Sequence, residues 1–384
     1  MAQTPRKRRW PLYLAIALAL LAAAGLWVNY QLEPNRLARR VLDMVGPSQG
    51  LEIGFRGTPR YGLWPEPRLV LPKVTARQPG AGSPLLTAER AEISLPWDTV
   101  RGDGPVVVTY IELDQPALDL AAFGEWRDSR PETTESTIPT LSRGALVTGG
   151  SVQGEGWRVQ DMDLALGPVA PGESASLEFS GLLASDSFRA NATGTLDVAE
   201  LSESTRFELL AQGEIEQDGR VMAYSLQAPC GFHRHAPEST VNCGDVDFKG
   251  DSPLPSLRAD MFSMTLGGPD GALLGIRGLM RDWPADWPVL PEPQTADVRP
   301  TRFDIHYQGA ADFSDPVSLK VERGETRLDA TLVIAEVQTW LANENRTPLP
   351  PMLGRFTAPS LEIEGFTLEN VQADLVEPAP ASEE

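Results

Sequence analysis

Short segments in which apolar residues occupy every second position recur along most of this chain, and they restrict it to β structure. The first begins at Leu51, where Leu51, Ile53 and Phe55 alternate with polar residues and glycine. A period of two places the apolar side chains on one face of a strand. Glycine and proline, 34 residues each, separate the segments with turns. The sequence therefore predicts a mainly β protein, an extended and twisted antiparallel sheet or groove with few short helices.

Turn residues between the alternating segments predict antiparallel hairpins. The clearest hairpins are 176–198, 207–226 with its turn at Asp218 and Gly219, and 317–332 with its turn at Arg323 and Gly324. Earlier strands are predicted at Arg68–Val74, Ala88–Trp97, Val106–Leu113 and Ala117–Leu120. One helix is predicted late in the chain, from Val333 to Asn343.

An almost purely apolar run, Trp10–Val28, precedes the β segments and predicts one transmembrane helix. At about 1.5 Å per residue this run spans roughly 28 Å, close to the hydrocarbon thickness of a bilayer. The basic residues 6–9 directly before it favour a cytoplasmic N-terminus, with the rest of the chain exported. A cleaved signal peptide with the apolar region Leu12–Ala24 is the alternative, and it also predicts export.

These patterns predict a division of the chain into successive regions. They are a cytoplasmic tail (1–9), the transmembrane helix (10–28), a neck helix beyond the membrane (29–46), a first β region (47–126), a linker or loop (127–140), a second β region (141–376) that contains a Pro-rich extended connector (282–293), and a disordered tail (377–384). The linker is inferred because it holds almost no apolar residue.

The charge balance excludes some classes of partner. The chain has 53 acidic and 33 basic residues, for a formal net charge of −20. Nucleic acids and anionic membrane surfaces are bound by positive patches. The sequence therefore predicts no nucleic-acid partner and no flat docking on anionic lipid.

The two cysteines lie near two of the three histidines. Cys230, His233, His235 and Cys243 supply donor atoms suitable for tetrahedral zinc, but at a spacing that is not a common one. In an oxidising compartment, a pair of cysteines is first interpreted as a disulfide, here worth about 3 kcal/mol in the chain-entropy model. The sequence predicts a Cys230–Cys243 disulfide with the histidines in a loop, and zinc binding and free thiols are the alternatives.

No motif predicts catalysis. Residues 46–50 match the G-x-S-x-G pattern of serine hydrolases, but a predicted helix precedes them and a strand follows, which is the reverse of a nucleophile elbow. No phosphate-binding glycine loop, metalloprotease motif or paired-carboxylate signature stands out. The sequence therefore predicts no catalytic residue, no metal, no cofactor and no enzymatic activity.

Four stretches together carry a family resemblance. They are the N-terminal anchor; the neck with Leu51–Phe55 and Leu69–Val74; the run Leu86–Leu95 leading to Ile111–Leu120; and Gly144–Gly150 with Val159–Leu166. This layout resembles the AsmA family of Gram-negative envelope proteins. The resemblance implies a single-pass inner-membrane protein, with a cytoplasmic N-terminus and most of its chain in the periplasm. It also implies a repeating β-groove, related to bridge-like lipid transfer proteins, and a role in phospholipid transport or outer-membrane assembly.

The resemblance implies phospholipid as a ligand, the inner membrane as a partner through residues 10–28, and further envelope proteins as partners. The candidates for the lipid-lining residues are the apolar positions of the early strands: Leu51, Ile53, Phe55, Leu69, Leu71, Ile93, Leu95 and Ile111. The main alternative is a structural component of a secretion apparatus, similar to the N component of type II secretion systems. An open apolar trough would favour lipid carriage, whereas two sheets closed over a core would favour the structural protein. An exported hydrolase is the enzyme alternative.

Overall fold

A computed structural model describes Leu42, Gly46 and residues 50–97, 108–129, 140–154, 156–185, 188–202, 204–217, 219–235, 238–268, 271–282, 299–310, 313–341, 350–363 and 366–376. These residues form a mainly antiparallel β structure with few helices, as the alternation predicts. The chain divides into two compact units, unit 1 (1–130) and unit 2 (131–384), and the division falls inside the predicted linker.

Several predicted segments lie outside the described residues. They are the cytoplasmic tail, the transmembrane helix 10–28, nearly all of the neck helix, most of the connector 282–293 and the tail 377–384. Among the residues that the structure does describe, no helix is both long enough and apolar enough to cross a bilayer.

Unit 1 is a small antiparallel sheet followed by a helix. Its elements are β1 (Glu52–Phe55), β2 (Arg60–Gly62), β3 (Arg68–Arg77), β4 (Leu86–Ser94), β5 (Tyr110–Asp114), β6 (Ala117–Asp119) and α1 (Leu120–Asp128). Both β1 and β2 pair with β3, β3 pairs with β4, and β4 pairs with both β5 and β6. The core contains Leu42 from the neck together with buried residues of β3 and β4.

Helix α1 corrects a prediction. The sequence places a strand at Ala117–Leu120 and a linker from residue 127, whereas β6 ends at Asp119 and α1 runs to Asp128. Asp119 caps the helix, because the backbone N–H of Ala122 donates to the Asp119 carboxylate at 3.0 Å. Aspartate is a favoured N-cap residue, and this cap starts the helix where the alternation ends.

Unit 2 is a long antiparallel meander. Its elements are β7 (Ala145–Gln153), β8 (Trp157–Leu166), β9 (Ala175–Ser185), β10 (Arg189–Val198), β11 (Ser204–Gln217), β12 (Arg220–His235), β13 (Glu238–Cys243), β14 (Val246–Gly250), β15 (Leu257–Gly268), β16 (Gly271–Met280), β17 (Thr301–Gly309), β18 (Val317–Arg323), β19 (Thr326–Leu332), α2 (Ile334–Leu341), β20 (Leu353–Ile363) and β21 (Phe366–Leu375).

Each strand of unit 2 pairs with its neighbours in chain order. The exception is β13 and β14, which share one place between β12 and β15. Strand β12 corrects a second prediction, because His233 and His235 lie in this strand and not in a loop. Pairing with β13 extends β12 beyond Cys230, so the segment between the cysteines is a hairpin. The predicted late helix is present as α2.

Candidate functional site

The strand register of unit 2 aligns apolar residues into rows that cross the sheet. Residues paired between neighbouring strands point to the same face, so an unbroken register gives an unbroken row. One row is Leu166, Leu177, Leu196, Leu209 and Ala228. A second row is Phe262, Ile276, Ile305, Leu319 and Ala330. We call the face that carries these rows the apolar face of unit 2, and its opposite the polar face.

Most large side chains of the apolar face are half-buried, whereas Met222, Tyr307 and Val317 on the same face are buried. Leu209, Ile305 and Leu319 all keep part of their surface accessible, whereas the small Ala228 and Ala330, which lie between larger neighbours, are 4% and 2% exposed. A face packed under a second layer would bury its large residues almost completely. This pattern indicates side chains that are shielded on their flanks by adjacent strands and accessible from above.

The buried clusters of unit 2 also indicate a single layer. One cluster joins Ala228, Cys230 and Cys243 to partly buried residues of β11–β15. Another joins Ala272, Tyr307 and Val317 to residues of β16–β19, and Phe313 and Ile334 pack against it. Within the described part of unit 2, each cluster is built from strands adjacent in the meander, with no strand from a facing sheet. Ile334 of helix α2 packs against the second cluster, so α2 covers part of the apolar face near β17–β19.

The structure brings together four of the eight predicted lining residues, but in a closed core of unit 1. Ile53 and Phe55 pack against the cluster of Leu69 and Leu71, and Leu42 packs onto the same cluster. Leu69 and Leu71 are 4% and 1% exposed. Other side chains of the protein cover Leu69 and Leu71, so their surface is not accessible to a ligand.

The other four predicted residues lie around this core. Ile93 and Ile111 are level with Leu69, one on each of the next two strands. Leu51 and Leu95 are half-buried just outside the strands, and their backbone N–H groups donate to the carbonyls of Gly46 and Pro67, each at 2.9 Å. All eight candidates thus belong to one small unit, and the more extensive accessible apolar surface lies in unit 2.

A disulfide joins Cys230 and Cys243 on the apolar face of unit 2. The two residues are directly opposite each other on β12 and β13, with their Cα atoms 4.0 Å apart. Both are buried, at 8% and 9% exposure. The side chain of His233 lies on the polar face, where Nδ1 is 2.9 Å from the hydroxyl of Ser204. No group of three or more His, Cys, Asp or Glu residues suited to a metal occurs among the residues described.

A cavity of about 860 Å³ lies on the polar face of unit 2, across β7–β14. Its lining includes the polar-face residues Thr193, Thr195, Asp247 and Lys249, together with apolar residues such as Leu210. The lining mixes acidic residues with a single lysine, and most of these residues are exposed. The cavity therefore has no buried polar group that would fix a ligand.

No family model, curated protein or solved structure matches this chain.

A charge cluster in unit 1 is the main group of interacting titratable residues in the described chain. Arg90 donates to Glu112 at 2.6 Å and to Asp114 at 3.0 Å, and it also contacts Glu92. The hydrogen bond to Glu112 is the main cause of a raised pKa for Arg90, with desolvation opposing it and Asp114 adding to it. Every member has a partner of opposite charge, so the cluster stabilises the sheet and offers no free acid or base.

Sequence reasoning placed the lining residues in the early strands and did not include those of unit 2. The alternation of Leu177 and Phe179, and of Val317 and Leu319, was visible in the sequence. What the sequence does not show is that the registers stay aligned across β9–β12 and across β16–β19, because each register depends on the turns between strands. The two-residue turn at Asp218 and Gly219 was the best available signal, since it fixes the register of β11 and β12.

Proposed function

We propose that this chain is an envelope protein without enzymatic activity, whose apolar face in unit 2 holds the acyl chains of phospholipid. In this proposal it passes lipid on within the envelope and so contributes to outer-membrane biogenesis, the role that the AsmA resemblance implies. The observation that supports the proposal is the pair of apolar rows on one face of unit 2, one across β8–β12 and one across β15–β19, in which most large side chains are half-buried.

The chemistry of this face suits reversible lipid binding. Moving one methylene group from water to an apolar surface gains about 0.8 kcal/mol, so a chain that leaves a bilayer must remain covered. A face of leucine, isoleucine and phenylalanine is about as apolar as lipid tails, so transfer between bilayer and protein is close to balanced. A lipid could therefore enter and leave without a large barrier from hydration.

We further propose that residues 10–28 anchor the chain in the inner membrane, with the N-terminus in the cytoplasm and both units in the periplasm. Oxidising compartments such as the periplasm permit disulfides, and the buried Cys230–Cys243 bond suits such a location. Other envelope proteins would then complete the route of the lipid.

Leu209 and Leu210 supply a matched test. They are adjacent leucines on β11, but Leu209 is half-buried on the apolar face and Leu210 is 40% exposed on the polar face. A photocrosslinking amino acid would replace each residue in turn in the full-length protein in membranes. We expect phospholipid to be captured from position 209 and not from position 210.

Equal labelling from both positions would mean that lipid contacts the apolar and polar faces equally, and the proposal would be rejected. Phe179 and Glu178 provide a second matched pair on β9. Crosslinks to protein alone from both apolar positions would instead support the structural alternative.

The closed core of unit 1 favours a structural role for that part of the chain. Leu42 of the neck packs directly on Leu69 and Leu71. We propose that unit 1 is a folded support that follows the anchor in the chain. This role is shared by the lipid-carrier proposal and by a component of a secretion apparatus, and the crosslinking test above distinguishes the two.

A further inference from the structure

The loop between β2 and β3 exposes two adjacent apolar side chains. Leu63 is 41% exposed and Trp64 is 83% exposed. In the described part of unit 1, no other large apolar side chain is as exposed as these two. Adjacent exposed apolar residues at the tip of a loop are typical of a surface that contacts another apolar body. We call residues 63–67 the tryptophan loop.

The rest of the tryptophan loop is held against the neighbouring chain. The indole N–H of Trp97 donates to the carbonyl of Pro65 at 3.3 Å. The hydroxyl of Thr109 donates to the carboxylate of Glu66 at 3.0 Å. The two apolar side chains are therefore presented by a backbone that is fixed on both sides of the loop.

Other aromatic residues lie at the same end of unit 1. One row of paired residues crosses the sheet beside the loop, and it consists of Gly62, Arg68, Ser94 and Tyr110. Tyr110 is therefore level with the start of the loop, and Trp97 contacts the loop directly. The turn at the opposite end of β3, residues 78–85, contains no aromatic residue. Tryptophan and tyrosine favour the interface between membrane and water, because their rings are apolar and carry one polar group.

The chain approaches unit 1 from the side of this loop. Gly46 lies near the far end of β3, because its carbonyl accepts from Leu51 directly before β1, and β1 pairs with that end. Leu42 lies four positions earlier and packs in the cluster that extends to Leu69 and Leu71, nearer the start of β3. Moving backwards along the chain from Gly46 to Leu42 therefore leads toward the tryptophan loop.

The length of the chain keeps unit 1 close to the proposed anchor. Residues 28 and 42 are 14 positions apart, so at most about 50 Å of chain separates the anchor from the core of unit 1. From Leu71, β3 extends back to Arg68 over about 10 Å, and the loop lies directly before Arg68. A bilayer that holds the anchor is therefore within reach of the tryptophan loop.

We propose that the tryptophan loop inserts Leu63 and Trp64 into the headgroup region of the bilayer in which residues 10–28 are anchored. This inference rests on the anchoring that forms part of the proposed function. It adds a second membrane contact, which orients unit 1 relative to the bilayer. Tryptophan beside an aliphatic residue is a typical composition for a segment that lies in this interface.

The contact does not require anionic lipid. Glu66 accepts the hydrogen bond from Thr109, and Arg68 contacts Glu92 at 3.8 Å, so these charged side chains beside the tip have partners. The tip itself is uncharged. Its insertion is favoured by the removal of apolar surface from water, which zwitterionic lipids allow as well as anionic ones.

A fluorophore placed beside Trp64 would test the insertion. Leu63→Cys would carry an environment-sensitive label in the full-length protein, reconstituted in phosphatidylcholine nanodiscs. Cys230 and Cys243 are joined in a disulfide and would not take the label. Ser83→Cys is the matched control, because Ser83 is exposed in the turn at the opposite end of unit 1. A fraction of the lipid would carry a doxyl quencher near the top of its acyl chain.

We expect the doxyl lipid to quench the label at position 63 about threefold more strongly than the label at position 83. Adding Trp64→Ser to the Leu63→Cys protein should reduce the quenching, and this exposed substitution should leave the fold intact. Phosphatidylglycerol in the nanodiscs, or added salt, should leave the quenching unchanged.

Equal quenching at the two positions, no quenching at position 63, or quenching that requires phosphatidylglycerol would overturn this inference. Quenching that is unaffected by Trp64→Ser would also contradict it. Failure of the proposed anchoring gives a different result, because the protein would then separate from the nanodiscs during gel filtration. In that case the proposed location fails, and this inference fails with it.

Discussion

Lys73 and Gln115 lie level with each other on either side of β4, and both have a left-handed backbone, with φ of 48° and 47°. The buried positions of β3 are odd-numbered up to Leu71 and even-numbered from Val74 onward, so the alternation shifts by one residue at Lys73. Leu71 and Val74 nevertheless belong to the same core cluster. We call these two left-handed residues kinks. They shift the alternation at the same level of the sheet, so that one face of unit 1 stays apolar.

Replacing Lys73 with valine should destabilise unit 1. A left-handed conformation costs an ordinary residue about 1–2 kcal/mol, and a β-branched side chain tolerates it least. We expect Lys73→Val to lower the free energy of unfolding by about 1–2 kcal/mol, whereas Lys73→Gly should have little effect or be slightly stabilising. Hydrogen exchange of the β3 amides would measure both. Equal protection in the two variants would contradict the role of the kink.

These kinks also show where the sequence stops being informative. Alternation predicted the strand from Arg68, but a period of two applied across Lys73 would place Val74 on the wrong face. Lysine gives no signal for a positive φ, whereas glycine or asparagine would have done so. The conformation is imposed by the packing of Leu71 and Val74 together, which is a tertiary effect that short-range patterns do not contain.

The hairpins of unit 2 were predictable for the opposite reason. Asp218 and Gly219, and likewise Arg323 and Gly324, are local turn signals that act within a few residues. Strands β13–β17 had weaker signals, since their sequences include many Gly, Ser and Met residues, and no hairpin was predicted there. For the site, the alternation revealed which residues share a face. It did not reveal that Leu71 would be covered by Leu42 and that Leu319 would remain accessible.

Leu71 and Leu319 should therefore respond differently to truncation. Leu71 is 1% exposed in a closed core, so Leu71→Ala should cost about 2–5 kcal/mol. Leu319 is half-buried on an accessible face, so Leu319→Ala should cost about 1 kcal/mol. Because hydrogen exchange measures the stability of each region by itself, exchange of the β3 and β18 amides is the suitable measurement. A cost at Leu319 as large as that at Leu71 would indicate a sealed core in unit 2 and would count against lipid binding.

Removing the disulfide should loosen the centre of unit 2. Cys230 and Cys243 are separated by 13 positions in the sequence, and closing a loop of this size stabilises a protein by about 3 kcal/mol in the chain-entropy model. We expect the double variant Cys230→Ala/Cys243→Ala to lose about 2–3 kcal/mol, measured by urea unfolding. Alanine is preferred to serine because the site is buried and apolar. A reducing agent should weaken the natural protein to the same extent and leave the variant unaffected; an unchanged natural protein would contradict the prediction.

Tyr224 should report directly on whether the apolar face is occupied. It lies on β12 beside Phe248, with ring centroids 6.0 Å apart, and its hydroxyl donates to the carbonyl of Asn191 at 3.0 Å. Burial raises the pKa of Tyr224 above its usual value near 10. The folded state therefore favours the neutral phenol. This contribution to stability is fully present below the unfolded pKa and is lost as the pH rises through the folded pKa.

Acyl chains on the apolar face would exclude more water from this phenol and should raise its pKa further. Carbon-13 NMR of labelled tyrosines, with Tyr224→Phe to assign the signal, would follow the titration with and without phospholipid. We expect the midpoint of Tyr224 to move to higher pH when lipid is added. Phospholipid that leaves Tyr224 unaffected must bind elsewhere, because this ring lies on the apolar face within β12.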